Sequence, residues 1–249
     1  MSGHSKWSTI KRQKGANDAK RGAMFTKVAR EIMVAARAGG GDPDANYRLR
    51  LAMDKGRTIN MPADNIKRAI ERATASGEGD AFEEIVYEGY GPGGVAIIVE
   101  AATDNRNRTA AEVRSIFTKA GGQLAGSGAV AWQFEQRGLI TVASEGVDRD
   151  EVALAAIDAG AADVDTESDP IEIYTEPADL EAVRKALDAA GVPVEDAENA
   201  MIAKQTAAVD ADHVRRVLRL IDLLEELDDV QRVTSNADIP EELMEEYAE

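Results

Sequence analysis

The sequence predicts an α+β, multidomain chain: an N-terminal helical bundle followed by two α/β (ferredoxin-like) sheet domains, one inserted in the other. Three observations carry this. Residues 17–73 read as three helices, with apolar side chains at helical spacing in the first and third. After the break "TASGEGDA" (residues 74–81) the apolar period falls to two. Residues 138–204 then hold a complete β-α-β-β-α-β order, while the elements on either side of them form a set that closes only when taken together. A length of 249 residues admits two or three domains, and an aromatic content of 4% rests the cores on Ala, Val, Ile and Leu.

Residues 1–16 are polar, basic and small without a period, and are expected to be an arm that orders on binding. From Asn17 or Asp18 a helix is predicted. Phe25, Val28, Ile32 and Ala36 fall on one face and Lys20, Lys27, Arg30 and Arg37 on another; Gly39, Gly40 and Gly41 stop it. Asp42-Pro43 suits the N-cap and first position of a second helix, running to Gly56. Pro62 opens a third, with Ile66, Ile70 and Ala73 about one turn apart.

The stretch "FEEIVYEGYGPGGVAIIVEAATD" (82–104) is a strand, a Gly/Pro turn and a strand. "NRTAAEVRSIFTKAGG" is a helix closed by two glycines, and "AVAWQFEQRG" (129–138) alternates as a strand. The insert opens with the strand "LITVAS" and the helix "DRDEVALAAIDAGA". The strands "DVDTES" and "IEIYTE", the helix "PADLEAVRKALDAAG" and the strand "VEDAENAMIAKQT" complete it. A long helix, "ADHVRRVLRLIDLLEELDD", and the strand "VQRVTSN" follow. The expected domains are 1–79 (basic arm and helical domain), 80–137 with 205–239 (discontinuous), 138–204 (insert) and 240–249 (acidic C-terminal tail).

Charge is segregated along the chain. The formal net charge is −17, yet residues 1–72 carry sixteen Lys/Arg against seven Asp/Glu, a net of +9. Residues 73–249 carry thirteen against thirty-nine, a net of −26. One segment is built to meet an anion and the other to repel it. The absence of cysteine excludes disulfides, thiolate metal sites and thiol nucleophiles. No apolar run approaches the roughly 20 residues of a membrane span, and no apolar segment follows the basic N-terminus as a signal would require. A cytoplasmic protein without membrane contact is expected.

Gly89, Gly91 and Gly94 match G-x-G-x-x-G, but a strand follows where a phosphate-binding fingerprint needs a helix, so the stretch is a hairpin turn. "TDNRNRT" (103–109) allows two readings: a polar loop in which Asn105 or Asn107 caps the next helix, or a contact loop presenting Arg106 and Arg108. The two histidines, His4 and His213, have neither a serine–acid setting nor metal-ligand spacing. No catalytic constellation emerges, so no enzyme, cofactor, metal or small-molecule substrate is expected. The N-terminal cations can neutralise phosphates, and Trp7 can stack on a base. The predicted nucleic-acid-binding residues are Lys6, Trp7, Lys11, Arg12, Lys14, Lys20, Arg21, Lys27, Arg30, Arg37, Arg106 and Arg108.

"GHSKWSTIKRQKGANDAKRG", "FTKVAREI", "NMPADNIKRAI", "YEGYGPGG" and "TDNRNRT" closely resemble the YebC/PmpR family, in order and over nearly the whole chain. The resemblance implies three domains, one helical and two α/β. It also implies a regulator of gene expression: bacterial members are named as DNA-binding transcriptional regulators, and others, including mitochondrial translational activators, act on the ribosome. The expected function is a DNA-binding transcriptional regulator whose basic N-terminal domain contacts phosphates. The alternatives are a ribosome-associated translation factor binding ribosomal RNA, a hydrolase acting through an acidic cleft, and an adaptor whose arm docks on an acidic protein.

Overall fold

The structure, a computed structural model, describes residues 18–75 and 82–248. Its first three helices are α1 (Asp18–Gly39), α2 (Tyr47–Thr58) and α3 (Ala63–Thr74). Val28, Ile32, Ala35 and Ala36 of α1 meet Leu49 and Ala52 of α2 and Ile66 and Ala69 of α3 in one apolar core. Helix α2 starts later than Asp42-Pro43 suggests. Asn46 is its N-cap, accepting from the Leu49 N–H at 3.1 Å, while its own amide donates to Ala35 O and Gly40 O at 2.8 Å each. Asn46 wins because one buried side chain closes α1 and opens α2 together.

Strands β1 (Glu83–Tyr90) and β2 (Ala96–Thr103) form the hairpin, with Glu83 opposite Thr103 and Tyr90 opposite Ala96. Helix α4 (Arg106–Lys119) leads to the short β3 (Gln123–Leu124). Much later in the chain, α7 (Ala211–Glu225) and β9 (Val230–Ser235) return. The antiparallel sheet runs β3-β1-β2-β9. Strand β2 lies in its middle, which explains a run, "VAIIVEAA", that is apolar but for Glu100. Ile97 and Val99 face the core shared with Val113 and Phe117 of α4 and Val217 and Leu220 of α7. Ala96 and Ile98 face a smaller core with Val130 and Phe134.

The intervening unit consists of β4 (Phe134–Val142), α5 (Arg149–Asp158), β5 (Asp163–Asp165), β6 (Ile171–Thr175), α6 (Leu180–Ala189) and β7 (Val194–Ala203). Its antiparallel sheet runs β5-β6-β4-β7, the order of a ferredoxin-like split βαβ fold. Ile140, Val142, Ile171, Ile173, Leu180, Val183 and Leu187 are its core.

The strands expected at 129–138 and 139–144 are one strand, β4, preceded by a 3-10 turn at Ala131–Gln133. Gly138 does not end a strand. A Cβ there would lie 2.1 Å from Thr175 Oγ1 and 3.1 Å from Leu180 Cβ, so glycine admits β6 and α6 against a continuous β4.

A two-residue parallel pair, β8 (Ala207–Ala208) with β10 (Ala237–Asp238), ties the chain returning from the insert to the C-terminal segment. The segment expected as an acidic tail contains helix α8 (Glu241–Ala248), with Met244 fully buried in the core under α7. Lys55 of α2 joins the units: its Nζ lies 3.2 Å from Glu31 of α1 and 3.4 Å from Glu198 of β7. No helix among the described residues is long and apolar enough to cross a membrane.

Candidate nucleic-acid interface

Lys6, Trp7, Lys11, Arg12 and Lys14 lie outside the described residues. Lys20 and Arg21 fall on the first turn of α1. The basic stripe of that helix then divides. Lys27 Nζ donates to Glu225 O and Arg30 Nη1 to Asp228 O, both at the end of α7 and the turn after it. A helix C-terminus presents unpaired carbonyls and the negative end of its dipole, so cations one turn apart on α1 are well placed to dock on it. Arg30 also sits 3.1 Å from Asp229 Oδ1 and over the Phe82 ring. Arg37, at the other end of α1, is exposed.

Asp229 is a junction of four partners. Besides Arg30, its Oδ2 accepts from Thr103 Oγ1 at 3.0 Å, Thr109 Oγ1 at 2.7 Å and Arg108 Nη2 at 2.7 Å. Burial pushes its carboxyl up, but the hydrogen bonds from Arg108, Thr109 and Thr103 and the charge of Arg30 outweigh it and hold the pKa at about 2. The two readings of "TDNRNRT" are thereby separated residue by residue. Asn105 caps α4, accepting from the Arg108 N–H at 3.1 Å. Arg108 is committed to Asp229 and, at 2.9 Å, to Asp104. Arg106 points outward, 68% exposed and 3.6 Å from Glu83.

The exposed cations of the helical unit include three that the predicted set omits: Lys67, Arg68 and Arg72 of α3. Their signal is in "NIKRAIER", where Ile66, Ala69 and Ile70 turn inward and the three cations recur on the opposite side. Between α1 and α3 runs an open groove of about 300 Å³. Phe25, Ala29, Met33 and Met61 give it an apolar lining, flanked by Arg68 and Arg72. Arg68 makes no ion pair or hydrogen bond among the described residues. A groove of this composition can take an apolar ring while its guanidinium groups reach phosphate.

The glycine motif is a hairpin turn, with Gly93 and Gly94 at φ 74° and 78° and β2 directly after. His213 stacks on Gly93 and holds its Nδ1 2.6 Å from Asp210, the N-cap of α7. Among the described residues no group of three or more His, Asp or Glu side chains converges as a metal site.

Two family models match the chain: "TACO1/YebC protein N-terminal domain" over residues 5–76 and "TACO1/YebC second and third domain" over residues 82–237. A probable transcriptional regulatory protein of Roseiflexus castenholzii is 56% identical over 252 residues, covering 99% of each chain. Another of Dehalococcoides mccartyi is 55% identical over 247 residues, covering 99% of this chain and 98% of that one. The crystal structure of a conserved hypothetical protein from Aquifex aeolicus, 46% identical, superposes with a TM-score of 0.85 over 90% of this chain and 92% of that one.

Proposed function

The chain belongs to the TACO1/YebC family, and from that premise we propose that it is a nucleic-acid-binding regulator of gene expression, a DNA-binding transcriptional regulator whose N-terminal unit contacts phosphates. The names of its relatives support the regulatory role. The observation that carries the binding mode is the charge segregation, +9 over residues 1–72 against −26 beyond, with Arg37, Lys67, Arg68 and Arg72 on the solvent side of the positive unit. Each phosphate neutralised releases condensed counterions, while the acidic sheet units repel the polymer and orient it toward the helical end.

A second reading, a ribosome-associated factor on ribosomal RNA, is favoured by the apolar α1/α3 groove. Splayed bases of folded RNA fill such a lining, whereas paired bases of a duplex stay stacked.

The test is binding of the full chain and of residues 82–249 to duplex DNA and to a structured RNA across a salt series. The full chain is expected to bind with a steep salt dependence and the truncated chain weakly. Equal affinity of the two would remove the N-terminal unit as the binding element. Preference for the RNA at matched salt would select the second reading.

A further inference from the structure

Acidic residues are dense after residue 72, but three stretches of eleven residues or more contain none: 89–99, 113–134 and 199–209. The fold gathers all three at one place. Tyr90 pairs with Gln123 between β1 and β3. Phe134 pairs with Ala203 between β4 and β7. The Lys204 N–H donates to Gln133 O at 2.8 Å. Three stretches without a carboxylate thus meet within the most acidic part of the chain, and one of them carries Trp132, 68% exposed.

This tryptophan is held firmly. The Glu88 carboxylate, buried on β1, accepts from the backbone N–H of Gly128 at 2.6 Å and of Val130 and Ala131 at 2.8 Å each. Burial pushes that carboxyl up, but the three amides prevail and lower it, so this acid is spent inside the loop, while Glu135, two residues beyond it, is paired with Arg137 at 2.9 Å. The Ala129 carbonyl accepts from both the Trp132 indole N–H at 3.1 Å and the Tyr90 hydroxyl at 2.9 Å. Two aromatic rings are therefore pinned through one oxygen, with the indole face open to solvent. Lys204 Nζ donates to Trp132 O at 3.2 Å and has two further N–H donors to offer. A Cβ at Gly126 or Gly128 would meet nothing within 4 Å, so these loop positions are open.

We propose that the loop 125–133 is a second nucleic-acid contact, which stacks an unpaired base on Trp132 and meets its phosphate with Lys204. A fixed indole beside an ammonium group, on a loop that itself carries no carboxylate, is the chemistry of single-strand recognition. A base inside a duplex cannot reach the ring, so the contact selects single strands. The inference rests on the nucleic-acid reading above and adds a site on a different unit of the fold.

The sequence holds only two tryptophans, so Trp7→Phe makes Trp132 the sole indole reporter in the full chain. Titrated with oligouridylate and oligothymidylate, its emission is expected to quench saturably, and to respond far less to duplex DNA. The two strands distinguish RNA from single-stranded DNA as the source of the base. Trp132→Ala should weaken single-strand binding roughly tenfold or more with an unchanged salt slope, and Trp132→Phe should recover most of it. Lys204→Ala should flatten the slope by about 0.7. If the chain binds these strands while Trp132 emission is silent and Trp132→Ala binds like the parent, the site is overturned and the wider reading stands. If the full chain binds no strand or duplex at all, both fall. Protection of the indole by nuclease-treated cell protein, with oligonucleotides silent, would assign the face to a protein partner and overturn the proposal.

Discussion

Arg30 of α1 and Asp229, which precedes β9, form an ion pair of 3.1 Å with both side chains largely out of solvent. The pair joins the positive unit to the negative one where Lys27 and Arg30 also dock on backbone carbonyls of residues 225 and 228. The same carboxylate fixes Thr103, Thr109 and Arg108, so one buried acid sets both the start of α4 and the seating of α1.

Removing that acid should be costly. Asp229→Ala leaves Arg30 near-buried without its carboxylate and removes the acceptor that Thr103, Thr109 and Arg108 share. Loss of one member of a buried pair typically costs about 3–5 kcal/mol. A fall of that order in unfolding free energy is expected from urea titration, with Asp104→Ala, on the exposed side of Arg108, nearly silent. An Asp229→Ala chain as stable as the parent would show that the junction does not bind the units together.

The same group gives a pH signature. Its folded pKa of about 2 lies below the ordinary 3.8, so the folded state favours the ionised form. The resulting stability is fully present above pH 4 and is lost as pH falls from about 4 to 2. In Asp229→Asn that component is absent, so the urea midpoint should decline less steeply across this window. Parallel declines in parent and variant would place the acid sensitivity in other carboxylates.

Much of the fold is legible because apolar spacing changes period at one break and the βαββαβ order is complete. The two misplaced boundaries share a physical cause. Glycine is read locally as a chain breaker, but Gly138 is demanded by Thr175 and Leu180, which pack on it from distant parts of the chain. Asp42 and Asn46 are both N-cap residue types, and only the reach of Asn46 to Ala35 O and Gly40 O decides between them. The candidate site is legible as charge but not as direction. Lys27, Arg30 and Arg37 share a helix, and nothing local says that the first two face carbonyls 198 residues away. Trp132 reads as one residue of an alternating strand because the turn that turns it outward is held by Glu88 from β1.

The insert offers a test of its extent. β4 is paired on both sides from Gly138, but its first four residues pair with β7 alone, Phe134 against Ala203 through Arg137 against Ala200. A fragment of residues 134–204 keeps the whole ladder and the core of Ile140, Ile171, Ile173 and Leu187, and is expected to unfold cooperatively. The shorter 138–204 lacks those pairs and should melt several degrees lower, a shift corresponding to about 1 kcal/mol in a domain of this size. Absence of a cooperative transition in both would mean that the unit depends on Tyr47 and Leu51 of α2, which pack against it.

The direction of each cation predicts what it does to binding. Lys67, Arg68 and Arg72 are exposed on α3, the last two flanking the α1/α3 groove, whereas Arg30 and Arg108 are turned onto Asp229. A phosphate contact contributes about 0.9 to the slope of log affinity against log salt on duplex DNA and about 0.7 on single strands. Replacing the three α3 cations by Ala should therefore flatten the slope by about two to three units and weaken binding to all sequences alike, with the unfolding curve nearly unchanged. Arg30→Gln and Arg108→Gln should do the reverse, lowering stability while leaving the slope in place. The two sets of variants separate a cation that meets the polymer from one that holds the protein together. If Arg108→Gln flattens the slope and the α3 triple variant does not, the polymer contacts the Asp229 junction, and the groove between α1 and α3 is not the binding face.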